Sequence, residues 1–244
     1  MQPIEEPTLT AGLIAERYER LRARLRSAAE QAGRDPEGFR VVAVTKGFDT
    51  SVVRLARAAG LNRFGENRVQ EAAAKVAAEP DAEWHLVGRL QANKVRAAVR
   101  LFSVIHSIDS LDLLRRLDRI AAEEGRSPIA LLQVNLSNEA SKAGFDPAWF
   151  AAELRQPGQL LATLGDLAAA RVTGLMTIGV AGAPVAEARA LFGRLRDLRD
   201  GLAQRFAHSL PDLSMGMSGD AEAAVAEGAT LVRVGTALFG PRPG

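Results

Sequence analysis

The chain has 244 residues, 47% of them hydrophobic and 25% charged, enough for one large α/β domain or two small ones with a substantial core. Its formal charge is only +2 and 5% of its residues are aromatic, so neither a strong nucleic-acid field nor a base-stacking platform is expected. It contains no cysteine, which excludes disulfides, thiolate nucleophiles and cysteine-ligated metals.

The first ten residues are polar, with Pro3 and Pro7, and lack the apolar stretch of a signal peptide. No later stretch is apolar enough over sufficient length to span a bilayer. The expectation is a cytoplasmic protein with no membrane or nucleic-acid partner. A helix is predicted over residues 10–32, with Thr10 as N-cap and Gly33 near its end. Eight short apolar runs follow, at residues 41–45, 62–65, 84–88, 103–106, 129–135, 172–177, 213–215 and 231–234. They read as strands. Ala-, Leu- and Arg-rich segments of helical spacing separate them; Leu111, Leu114 and Leu117 share one face, as do Leu191, Leu195, Leu198 and Leu202. Residues 137–171, with Pro147 and Pro157, should hold two helices, and residues 179–211 a loop and one long helix. Regular alternation of strand and helix predicts a parallel sheet. Eight units in this length predict a single (β/α)8 barrel spanning residues 1–244, with the barrel proper at about 40–240. A doubly wound open sheet is the alternative, disfavoured by the lack of a Gly-rich first turn. No domain boundary is visible, and no second domain is expected after the eighth helix.

Active sites of such barrels lie on the loops after the strands. Those positions hold Lys46; Glu66 and Asn67; Arg89 and Gln91; His106 and Ser107; Asn135; Met176 and Thr177; Met217 and Ser218; and Gly235 and Thr236. Lys46 is one of only four lysines, with Lys75, Lys94 and Lys142, in a chain whose other cations are arginines. Partial burial at a strand end would lower its pKa and make it a Schiff-base nucleophile; a lysine that merely snorkels to solvent is the alternative. Ser218 and the Gly235-Thr236 turn have the chemistry of a phosphate cradle, or of simple helix capping. Arg233, between two valines of the last strand run, needs a buried partner. It either faces the mouth, where it can donate to a ring nitrogen, or pairs with a barrel carboxylate. His85 and His106 resemble no compact metal motif and are expected to be packed and hydrogen-bonded; His208 is expected in solvent. Glu66 suits acid–base chemistry or a pair with an arginine, and Lys142 lies where it can approach a ligand.

Several of these segments also carry a resemblance. Residues 42–46 (VAVTK), 64–71 (FGENRVQE), 84–94 (WHLVGRLQANK), 174–179 (GLMTIG), 213–218 (LSMGMS) and 232–240 (VRVGTALFG) resemble the YggS/PROSC family of pyridoxal phosphate homeostasis proteins. The resemblance implies a barrel similar to the N-terminal domain of alanine racemase. It implies pyridoxal 5′-phosphate held as a Schiff base on Lys46, its phosphate on Ser218, Gly235 and Thr236, and Arg233 facing the pyridine nitrogen. Asn67 and Met176 would lie near the ring. Gly47-Phe48 departs from the residues usual after the lysine. The implied role is to buffer or deliver the cofactor, with apo-enzymes that use it as partners, rather than to catalyse. A racemase would need a second base, and the single tyrosine, Tyr18, lies in the helix before the first strand. A racemase or related enzyme, and a cofactor-free Schiff-base aldolase, are the alternatives.

Overall fold

The eight apolar runs become eight strands that pair in parallel, in sequence order, and close on themselves: β1 Arg40–Val44, β2 Arg63–Glu66, β3 Glu83–Leu86, β4 Val104–Ile108, β5 Ile129–Gln133, β6 Arg171–Met176, β7 Asp212–Ser214 and β8 Leu231–Val234. Closure is made by β1 on β8, where Val42 stands beside Arg233. The computed structural model describes residues 8–137 and 143–242. The predicted barrel is therefore observed, with strand ends displaced by one or two residues, and the open-sheet alternative is excluded.

The helices are α1 Ala11–Gln31, α2 Thr50–Ala58, α3 Val69–Ala78, α4 Val95–Leu101, α5 Leu111–Glu123, α6 Pro147–Arg155, α7 Gln159–Asp166, α8 Val185–Phe206, α9 Ala221–Ala226 and α10 Thr236–Phe239. α1 starts where the Thr10 side chain accepts a hydrogen bond from the Leu13 amide at 3.2 Å. Its buried stripe, Ile14, Leu21, Leu25 and Ala29, repeats at helical spacing and packs on α2, α9 and α10. The prolines at 147 and 157 split the expected segment into α6 and α7 because neither can donate within a helix.

Strand alternation sorts side chains between two cores. Outward residues such as Ala43, Phe64, Trp84, Ile105, Leu132, Leu175, Leu213 and Val232 join the main core under the helices. Inward residues fill the barrel. Val42, Leu131, Met176 and Leu231 form a small apolar cluster of their own there. His85, His106, Ser214 and Arg233 carry the inward parity of their strands and are buried with it. Lys142 lies outside the described residues.

Candidate functional site

A cavity of about 520 Å³ opens at the C-terminal ends of the strands, of the size that holds a small cofactor. Lys46 enters it directly after β1 and is half-buried. Burial, then the nearby cations Arg242 and Arg233, push its ammonium pKa below the ordinary lysine value; Glu66 opposes them in part. The amine thus sits where its charged form is disfavoured, as the sequence predicts for a nucleophile.

Beneath it lies an ion pair that the sequence does not announce. Lys75, from α3, donates to Glu66 Oε1 at 2.6 Å and to the Thr45 carbonyl at 2.8 Å. The Thr45 hydroxyl donates to the same Glu66 oxygen at 2.6 Å. The Thr45 carbonyl belongs to the peptide that carries Lys46, so the pair fixes the backbone from which the amine projects. Glu66 is fully buried, and its second oxygen has no hydrogen-bond partner among the described residues. Its partner is a lysine, not the arginine anticipated.

Asn67, Val87, Gly88 and Arg89 form the adjoining wall. The Ser107 hydroxyl donates to the Gly88 carbonyl at 2.7 Å and holds this turn from behind. The floor is Gln133 and Arg233. Arg233 is 5% exposed; its Nη1 donates to Ser214 Oγ at 2.7 Å and its Nη2 to the Thr177 carbonyl at 2.9 Å. Burial pulls its pKa down to about 10, with Asp220 partly offsetting, and at neutral pH it remains a cation. No carboxylate among the described residues pairs with it, so of the two arrangements open to Arg233 the structure has the one facing the mouth.

On the β7–β8 side of Lys46, next to β1 where the barrel closes, the wall is Met217, Ser218, Gly219, Gly235 and Thr236. Ser218 Oγ accepts from the Ala237 amide at 3.3 Å, joining the loop after β7 to the turn after β8. A side chain at Gly235 would place its Cβ 3.0 Å from the Val44 carbonyl, so the turn packs tightly on β1 and a larger residue would push the two apart by a few tenths of an ångström. Asp220 Oδ1 accepts from the Met217 amide at 2.6 Å and shapes the same loop. The wall combines hydroxyls and backbone at a strand-to-helix turn with no acidic side chain, a set suited to a phosphate. An amine, this cradle beside it and a donor-only guanidinium lining the same cavity fit a phosphorylated aromatic aldehyde.

Six of the seven site residues expected from the sequence therefore line one cavity. Met176 does not. It is fully buried in the inner cluster with Val42, Leu131 and Leu231, and Met217 takes the methionine position on the wall. Gln133, Phe48 and Arg242 also line the cavity and were not anticipated. Strand parity could have found Gln133, two residues after the inward Leu131. Arg242 had no sequence signal, because it reaches the mouth only by the chain's return after α10. Its Cδ would lie 3.0 Å from a Cβ at Gly47, whose φ of +77° also favours glycine, and Phe48 packs on Phe239 at 5.5 Å. The departure at Gly47-Phe48 is thus accommodated by the chain's own C-terminal segment. His208 is not solvated as expected; its Nε2 bonds the Val172 carbonyl at 3.0 Å. Asn135 takes a hydrogen bond from Ser137 rather than lining the cavity. Among the described residues no three His, Asp or Glu side chains gather as a metal site, and no helix is long and apolar enough to cross a membrane.

Comparison with known proteins points one way. The profile of the family "Alanine racemase, N-terminal domain" matches residues 17–243. A pyridoxal phosphate homeostasis protein of Pseudomonas aeruginosa is 44% identical over 232 residues, covering 94% of this chain and 96% of its own. One from Synechocystis is 41% identical over 210 residues, covering 85% of this chain and 93% of its own. The structure of PipY from Synechococcus elongatus with PLP bound superposes with a TM-score of 0.78 at 45% identity, over 93% of this chain and all of that one. An alanine racemase from Clostridium difficile shares the fold alone, at 13% identity and a TM-score of 0.70, and this chain covers 60% of it.

Proposed function

This chain belongs to the family of the pyridoxal phosphate homeostasis proteins, built on the alanine racemase N-terminal domain, and from that premise we propose that it binds pyridoxal 5′-phosphate through a Schiff base on Lys46 and buffers or delivers it in the cytoplasm. The observation that carries the reading is the placement of a half-buried, depressed-pKa lysine in one cavity with a hydroxyl- and glycine-lined cradle at the adjoining ends of β7 and β8. When bound, the cofactor supplies an aldehyde that a neutral amine captures reversibly.

Each residue has a task in that arrangement. Lys46 holds the aldehyde carbon, and Lys75 with Glu66 holds the peptide of Lys46 in place. Ser218, Gly235 and Thr236 hold the phosphate. Arg233 offers hydrogens to the pyridine nitrogen and, having none to accept, leaves that nitrogen unprotonated. Asn67 and Val87 bound the ring from the β2–β3 side. A mouth open to solvent suits transfer to apo-enzymes that need the cofactor.

The rival reading is an amino-acid racemase. It requires two proton-exchanging groups on opposite faces of the substrate carbon. Among the described lining residues Lys46 is the one ionisable side chain that is not an arginine, so a second proton-exchanging group is missing from the lining. Tyr18 packs against the core from α1, with the Arg22 guanidinium 5.7 Å over its ring. Arg233, a donor that stays protonated, would leave a bound ring nitrogen unprotonated, which would make the cofactor a poorer electron sink than a carboxylate partner would.

The test separates three readings. Purified protein should be yellow, with a visible band that borohydride bleaches. In deuterated buffer, amino acids should show no exchange of the α-proton above the rate of free cofactor. Exchange that requires Lys46 would establish the racemase. A colourless protein that takes up no vitamin but is trapped by a sugar phosphate would establish the aldolase.

A further inference from the structure

The polar groups inside the barrel below the cavity form one continuous chain. It begins at Glu83, the first residue of β3, at the end of the barrel remote from the mouth. Glu83 Oε1 lies 3.0 Å from His85 Nε2, while its other oxygen accepts from Arg63 Nε at 3.0 Å. His85 Nδ1 lies 2.8 Å from His106 Nε2, and His106 Nδ1 lies 2.7 Å from Ser214 Oγ. Ser214 Oγ in turn accepts from Arg233 Nη1, where the chain reaches the cavity floor. Both imidazoles and Ser214 are buried.

The direction of the hydrogens follows from satisfying each group. Arginine only donates, so Ser214 accepts from it. The one other partner of that hydroxyl among the described residues is His106 Nδ1, so the hydroxyl hydrogen goes there. His106 then carries its hydrogen on Nε2 and donates to His85 Nδ1. His85 carries its own on Nε2 and donates to the Glu83 carboxylate. Each contact has one donor and one acceptor. Reversing the chain would leave the Ser214 hydrogen buried without an acceptor, which is costly. The electrostatics agree. Burial lowers both histidine pKa values, opposed at His85 by Glu83 and reinforced at His106 by His85, Arg233 and Arg40, so both rings are neutral at pH 7. The His85 hydrogen bond, against burial, brings the Glu83 carboxyl down to about 2, so it is ionised.

We propose that Glu83, His85, His106 and Ser214 form a directional hydrogen-bond wire through the barrel that orients Arg233 as a donor toward a ring nitrogen in the cavity. The coupling to the ring nitrogen rests on the pyridoxal phosphate reading; the wire itself does not. Among the described residues no carboxylate forms an ion pair with Arg233, and its guanidinium is held by Ser214 and the Thr177 carbonyl. The anionic end of the wire is Glu83, which is about one-third exposed at the opposite end of the barrel. The four are positioning residues, since none of them lines the cavity.

Nitrogen-15 NMR of the free protein tests the wire without cofactor. His85 and His106 should both be neutral Nε2–H tautomers between pH 6 and 8. Ser214→Ala should give His106 a mixture of tautomers, and Ser214→Thr, which keeps the hydroxyl, should restore one. An Nδ1–H tautomer at His106 in the wild type, or no change in Ser214→Ala, overturns the wire. With cofactor added, Ser214→Ala should shift the wavelength or the pH midpoint of the visible band, and Ser214→Thr should restore it. An unshifted band on a normally loaded variant overturns the coupling to the cavity. A wild type with no visible band overturns that coupling together with the reading of the cavity, while the NMR result still decides the wire.

Discussion

Two neighbouring regions, the end of β1 and the last turn of α3, each present a lysine, and the two are treated in opposite ways. Lys75 is buried, yet it has a carboxylate at 2.6 Å and a carbonyl at 2.8 Å, so its charge is fully engaged. Lys46 is only half-buried, yet that burial, followed by the cations Arg242 and Arg233, penalises its charged form, with Glu66 offsetting in part. Burial marks a reactive amine only where no partner compensates the charge. Lys75 anchors the peptide from which Lys46 projects, so the stable lysine positions the reactive one.

The largest expected effect is loss of Lys46. Lys46→Met should abolish the visible band and retention of the cofactor, measured after gel filtration of the loaded protein. It should not lower the melting temperature. The sign follows from linkage: a lysine whose folded pKa lies below its unfolded value near 10.5 costs stability at neutral pH, and that cost fades only as pH rises through the two values. A lower melting temperature in Lys46→Met would break the contrast between the two lysines. Lys75→Met should do the reverse. Breaking a buried pair from one side costs about 3–5 kcal/mol, which in a chain of this length lowers the melting temperature by roughly 10 °C. Calorimetry reads it, and a change within 2 °C (about 1 kcal/mol or less) would mean that the pair holds nothing.

At the ends of β7 and β8, Ser218→Ala with Thr236→Ala probes the uncharged wall. Each lost hydrogen bond to a charged group removes about 1.5–3 kcal/mol, so affinity for the phosphorylated vitamin should fall roughly 100-fold or more. Affinity for unphosphorylated pyridoxal should hardly change. Titration calorimetry with both ligands decides, and equal losses would remove the phosphate from this wall. The smallest effect is a shift in pH. Arg242 is the largest contributor after burial to the lowered pKa of Lys46. Arg242→Ala should therefore move the midpoint of imine formation to higher pH, read as rate against pH. A midpoint that stays or falls would show that Arg242 does not act on the amine.

Much of this was legible in the sequence, and the parts that were not share a cause. Alternating apolar runs and Leu-spaced helices specify the barrel because each strand and helix must bury one face. Lys46, Ser218, Gly235 and Thr236 are legible because strand ends locate the mouth. Arg233 is legible from parity, two residues after the inward Leu231. Lys75 was not, since in α3 it reads as an ordinary solvated helix lysine and meets Glu66 only through tertiary packing. Arg242 reaches the mouth through a chain reversal that no local pattern records. Met176 shows the limit of parity itself: it points inward as expected, but toward the apolar cluster rather than the cavity.

The central claim, that Lys46 is the covalent tether, is tested most directly by borohydride reduction of the loaded protein followed by peptide mass spectrometry. The account predicts a single pyridoxyl phosphate adduct on the peptide containing Lys46. An adduct on Lys75, Lys94 or Lys142, or none on any lysine, would contradict it.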